Sequence, residues 1–185
     1  MRNIFFLITI LFIGCNSKSK EKIAMAEVKF QKIHGAKYFD YDEIVHYRIE
    51  LENKKRIDIY KDRQKSELDS IKYRVIFKDI PKSLSDTTFI SILETTGYLK
   101  NEVEKDKFEK INEIFLEKKP QESIQYACDY IYRDILIFKR KSKTIGIAKI
   151  CFECHGNRIV GTKANTEEFG MDGDYEKLEN ILSTK

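Results

Sequence analysis

IYRDILIF, residues 131–138, and IGIAKICF, residues 145–152, decide the fold. In each stretch apolar side chains stand at both odd and even positions, so a strand made from it is hydrophobic on both sides. Such strands belong in the centre of a sheet, buried on both faces. The intervening KRKSK, Lys139–Lys143, reads as a solvated turn between them. In a regular antiparallel hairpin Phe138 then faces Ile145.

Upstream the pattern is different. In IVHYRIEL, residues 44–51, Val45, Tyr47, Ile49 and Leu51 alternate with His46, Arg48 and Glu50, which predicts a half-buried strand with His46 on its wet face. A turn at Asn53–Lys55 leads into a strand at Arg56–Tyr60, and alternation returns at Ile71, Tyr73, Val75 and Phe77. TTFISILE, residues 87–94, is β-branched and aromatic and is read as a further strand. From Glu104 to Lys119 the period changes: Phe108, Ile111, Ile114 and Phe115 share one helical stripe that Pro120 ends. A second helix is expected at the C-terminus, capped by Asp174 and burying Tyr175, Leu178, Ile181 and Leu182. Strands and helices come in blocks, so the expected class is α+β: a mostly antiparallel sheet of about six to seven strands with two amphipathic helices packed on it.

MRNIFFLITILFIGC, residues 1–15, has a basic residue, an apolar run and a small residue before cysteine. That run is about half the roughly 20 residues a spanning helix needs, so it predicts a signal peptide over 1–14, removed on export. Leu11-Phe12-Ile13-Gly14-Cys15 resembles the lipobox of bacterial lipoproteins, with Phe12 where the pattern usually has Leu. The resemblance implies acylation of Cys15 and anchorage to a lipid bilayer. NSKSKEK after it reads as the polar start of a flexible tether over 15–24, with a single α+β domain over 25–185. Asn16 is compatible with sorting to the outer membrane. The formal net charge of +4 is a near balance of 34 basic and 30 acidic residues, which describes a solvated surface. Together with export it argues against a nucleic-acid partner.

Export changes how the cysteines are read. CFECH, residues 151–155, has the C-x-x-C-H spacing of c-type haem attachment. If extended backbone continues through Phe152 to Cys154, Cys151 and Cys154 point to opposite faces and suit neither a mutual disulfide nor haem. If the strand stops at Cys151 and the chain coils, a haem c site returns, with Cys151, Cys154, His155 and an axial ligand. Met25, His34 and His46 are candidates for that ligand, and Met171 in the loop FGMDGD is the best placed. Hairpin register offers another use. It brings Cys128 within one residue of Cys154, so an oxidising compartment would bridge them across a loop of about 25 residues, worth ~3 kcal/mol. Three reduced core cysteines, a dithiol centre and a zinc knuckle from Cys128, Cys151, Cys154 and His155 are the remaining alternatives. Asp172, Asp174 and Glu176 have D-x-D-x-E spacing, but Lys177 and Ser183 stand where a calcium loop needs Gly and Glu, so the acids read as helix capping. No catalytic residue set, cofactor or metal is favoured.

The loose lipobox, the segment ACDYIYRDILIF and the strand GIAKICFEC together resemble small uncharacterised lipoproteins of Bacteroidota, mainly over residues 105–182. The resemblance implies an envelope location and a strand ending in C-F-E-C, with no requirement for the histidine that follows. It carries no activity. The expected function is therefore a membrane-anchored lipoprotein with a non-enzymatic binding or structural role toward an envelope protein or ligand. The alternative is a redox protein built on Cys151-x-x-Cys154-His155.

Overall fold

The two doubly apolar stretches form adjacent central strands. The computed structural model describes residues 35–120 and 128–184, which lie in one compact unit, His34–Lys185. The stretches expected to form a signal peptide and a tether, with Cys15, Met25 and His34, fall outside the described residues. Strand β1 spans Glu43–Arg48, β2 Leu99–Glu102, β3 Asp134–Arg140, β4 Lys143–Cys151 and β5 Gly156–Val160. They make one antiparallel sheet in the order β2-β1-β3-β4-β5. Helices are α1 Asn53–Lys61, α2 Glu67–Phe77, α3 Phe89–Thr95, α4 Phe108–Ile114 and α5 Asp174–Ser183. The class is α+β as expected, but among the described residues five strands replace six to seven and five α-helices replace two.

β3 and β4 meet through a tight turn in which Lys141 and Ser142 both have positive φ, 48° and 64°. Phe138 lies opposite Gly146, not Ile145, because the register shifts between Phe138 and Lys139. The one-residue offset is the signature of a bulge, which inserts an extra residue into one strand.

Each face of the sheet has its own core. Ile44, Leu136, Phe138, Ala148 and Ile150 pack against α4 and α5 through Ile111, Ile114 and Leu178, with Phe115, Phe169 and Tyr175. Val45, Tyr47, Ile135, Ile137, Ile147 and Val160 pack on the other side against Val75 and Ile76 of α2 and Phe89 and Leu93 of α3. The sheet is the middle of three layers, and this is why its central strands are apolar at both parities. β1 is corrected accordingly: it is buried on both faces, and His46, expected in water, is 6% exposed.

Three expected strands are helices. Arg56–Tyr60 lies in α1. Ile71–Phe77 lies in α2, whose start is capped by Ser66 accepting from Asp69 N–H at 3.1 Å. The alternating Ile71, Tyr73, Val75 and Phe77 coexist with a helical row, Leu68, Ile71 and Val75, and the cap selects the helix. Residues 87–94 fall mostly in α3, where Phe89 and Leu93, four apart, are both fully buried. The expected long helix over 104–119 is a 3₁₀ turn, Lys105–Lys107, followed by α4, which ends at Ile114. Its stripe faces the core as expected. The C-terminal helix is α5, but Gly173 is its cap residue, and Asp174 instead turns inward to Lys118 Nζ. Among the described residues no helix is long and apolar enough to cross a membrane.

Phe39 stacks on Phe138 with ring centroids 4.5 Å apart, and it occupies the space a side chain at position 146 would need. A Cβ on Gly146 would lie 2.2 Å from Phe39 Cε1. Gly146→Val is therefore expected to destabilise the fold by about 2 kcal/mol or more, read as a lower denaturation midpoint in urea.

Candidate functional site

β4 ends at Cys151, and Phe152–His155 turn the chain at once into β5, so that Cys151 pairs with Gly156. Extended backbone does not continue through Phe152, which corrects the first of the two sequence expectations. The reversal has a backbone cause: His155 adopts the left-handed conformation, φ 49°, and Gly156 admits the Tyr130 ring where a Cβ would lie 2.3 Å from it. Coiling does not gather Cys151 and Cys154, however. Cys151 is 1% exposed, and its Sγ accepts the Ile131 N–H at 3.4 Å. Cys154 is joined to Cys128, with Cα atoms 6.0 Å apart and a sequence separation of 26. That Cα spacing is ordinary for a disulfide.

The turn's other side chains fasten helices from both layers. Glu153 Oε1 receives Arg133 at 2.9 Å, and Oε2 receives Arg56 of α1 at 3.8 Å. His155 stacks on Tyr175 of α5, centroids 4.9 Å apart and planes within 9°, with Nε2 3.3 Å from Glu176 Oε1. Tyr175 in turn accepts a bond from Asn157 Nδ2 at 3.0 Å, and burial pushes its phenol up to about 12. Met171 sits in the 3₁₀ turn before α5, where its carbonyl accepts from Lys118 Nζ at 2.9 Å. The structure thus brings Cys128 to Cys154 and spreads Cys151, His155 and Met171 among other partners. Among the described residues no group of three or more His, Cys, Asp or Glu side chains is arranged to hold a metal ion.

Comparison with family models, curated proteins and solved structures found no match for this chain.

Two charged clusters inside the fold escaped sequence reasoning. Lys149, two residues before the end of β4, is fully buried. Its Nζ donates to Lys78 O at 2.6 Å and lies 4.2 Å from the Tyr132 ring centroid. Tyr132 donates to Asp79 Oδ1 at 3.1 Å. Burial pushes the Lys149 amine down to about 7; Asp79 opposes the shift, while Arg158 and Lys82 add to it. The signal was present, since a lysine inside a run apolar at both parities has no wet face to occupy. On the opposite face of the sheet Asp134 Oδ1 accepts from His46 Nε2 at 2.8 Å and from Arg48 at 3.0 Å. Arg48 and Asp134 are cross-strand partners and His46 is two residues away, so only the β1–β3 register reveals the triad.

One surface feature stands out beside these interior groups. α1 has no buried residue, and Ile57 and Tyr60 are 45% and 44% exposed. A groove of about 790 Å³ runs beside it, lined by Ile49, Leu51, Ile57, Lys55, Asp62 and Lys72 among others.

Two outcomes are expected. Cys128→Ala should cost about 3 kcal/mol of stability, the chain-entropy worth of the closed loop, and reductant should lower the parent's midpoint equally while leaving the variant unchanged. For Lys149 the folded amine releases its proton near pH 7, whereas the unfolded chain holds it to the ordinary 10.5. The unfolded state therefore binds more protons across that window. Stability should rise with pH there, by up to ~1.4 kcal/mol per unit, and should gain nothing from this group below it. Urea unfolding at pH 7 to 9.5 should show the slope in the parent and lose it in Lys149→Met.

Proposed function

We propose that this chain is a lipoprotein of the bacterial cell envelope, held by an acylated Cys15 and displaying a disulfide-stapled α+β body with a binding or structural role. The observation that carries the reading is the use made of CFECH. Cys154 is bridged to Cys128, Glu153 holds Arg56 and Arg133, and His155 lies on Tyr175. Of the residues a haem or a reactive dithiol would require, Cys154 and His155 are engaged in fastening the body together, and Cys151 is a free thiol, 1% exposed, beneath the Ile131 amide. A structural bridge of this kind fits an oxidising compartment, which is where the signal-like N-terminus would send the chain.

The titratable groups inside the body support a non-catalytic role. His46 and Arg48 are held by Asp134, Lys118 by Asp174, and Lys149 by a backbone carbonyl and an aromatic face. A general acid or base must reach a substrate proton. These groups reach partners within the body. The outer membrane is the proposed destination, on the strength of Asn16 beside the lipid-bearing cysteine.

Two measurements test the reading. In membrane fractionation of the producing cells, the parent should sediment with membranes and Cys15→Ser should appear in the soluble fraction; membrane association unchanged by the substitution would remove the anchor. Alkylation of denatured, unreduced Cys15→Ser protein should label one thiol, at Cys151, rising to three after reduction. A label on Cys128 before reduction, or a haem absorption band in protein from a host that matures cytochromes c, would favour the redox alternative.

A further inference from the structure

Among the described residues β2 is an edge of the sheet, bonded to β1 on one side only. All four of its residues, Leu99, Lys100, Asn101 and Glu102, are exposed, Leu99 by 65%. Within a strand the N–H and C=O of one residue point toward the same neighbour, and the direction alternates along the chain. Val103 N–H donates to Ile44 O at 3.0 Å, directly in line with the β1–β2 register. Leu99, Asn101 and Val103 therefore address β1, and Lys100 and Glu102 turn their backbone donors and acceptors to the open edge.

We propose that this edge is an interface between two copies of the chain, with β2 pairing antiparallel to β2 of a second copy about a twofold axis at Asn101. Outward backbone groups must meet outward backbone groups, which leaves three registers within the strand. Lys100 opposite its own copy brings two ammonium groups together, and Glu102 opposite its own copy brings two carboxylates together. Only Lys100 opposite Glu102 of the second copy sets unlike charges face to face, and the axis repeats the pair. In that register each Lys100–Glu102 pair exchanges both of its backbone bonds, so every outward group of β2 is satisfied. Leu99 comes opposite Val103 of the second copy and is covered by it. A lysine on an edge ordinarily deters strand addition. Here the glutamate two residues on makes the same edge selective for itself.

Such a short ladder covers less than the ~1,200 Å² of standard stable interfaces, so the pairing is transient in dilute solution. Anchorage of both copies to one bilayer, which rests on the lipoprotein reading, would raise their effective concentration. The edge complementarity does not depend on it, and the test is made without the anchor.

In the full chain carrying Cys15→Ser, Asn101→Cys places two cysteines across the axis in a non-hydrogen-bonded pair, with Cα atoms about 4.5 Å apart. That is within reach of a disulfide. Lys100→Cys and Glu102→Cys serve as controls, because like positions then stand roughly 9 Å apart. Under mild oxidation Asn101→Cys should give at least about fivefold more cross-linked dimer than either control or the Cys15→Ser parent. Equal yields from all three positions, or no dimer from Asn101→Cys, would overturn the proposal, the latter being the result if a foreign strand is the natural occupant. Adding Lys100→Glu should reduce the Asn101→Cys cross-link about tenfold, and adding Glu102→Lys to that variant should restore it. Failure of the reciprocal exchange to restore cross-linking would refute the register.

Discussion

Ile137 and Phe138 are neighbours on β3 and belong to different hydrophobic cores, one beneath α2 and α3, the other beneath α4 and α5. The rest of the fold depends on this two-sided burial. A strand with no wet face has nowhere to put a polar side chain except a site that satisfies it internally. Asp134 therefore collects His46 and Arg48, and Lys149 takes a carbonyl and an aromatic ring. Hydrophobic burial holds the layers together. These buried polar contacts add directional constraints, because an unmet charge in either core would cost far more than the contact returns.

The second organising element is the turn after β4. Arg56 and Arg133 converge on Glu153, Cys128 is covalently tied to Cys154, and α5 presents Tyr175 and Glu176 to His155. Three consecutive residues, Glu153, Cys154 and His155, thus connect α1, the segment before β3 and α5 to one end of the sheet. Tyr60 of α1 also reaches Asp129, beside the bridged Cys128, at 3.3 Å. α1 has no fully buried residue, and these polar links and its aromatic contacts with α2 help to hold it in place. Tyr60 lies 5.3 Å from Phe77.

Legibility in the sequence followed burial. β3, β4 and α5 were readable because their patterns admit one interpretation: apolar at both parities, or apolar on a single helical face. α1, α2 and α3 were misread as strands because short segments with alternating or β-branched residues satisfy two periods at once. The arbiter for α2 was a local one, Ser66 before Asp69. β2 was invisible, since four exposed residues carry no hydrophobic pattern, and β5 was obscured by the turn motif in front of it. The cysteine pairing was approached through a hairpin register that is off by one residue at the bulge. The tight turn at Phe152–His155 nevertheless carries Cys154 to Cys128. The buried triad needed cross-strand neighbours, which no linear pattern reports.

The hidden position of Cys151 has a consequence for how the chain matures. Three sulfurs lie within the span 128–154, and an oxidant meeting an unstructured chain would find the closely spaced pair first. Once β3 and β4 have zipped together, Cys151 is sealed beneath the Ile131 amide, and its competitor is left beside Cys128 at the surface. A hairpin formed before oxidation would thus leave Cys154 as the reachable partner of Cys128.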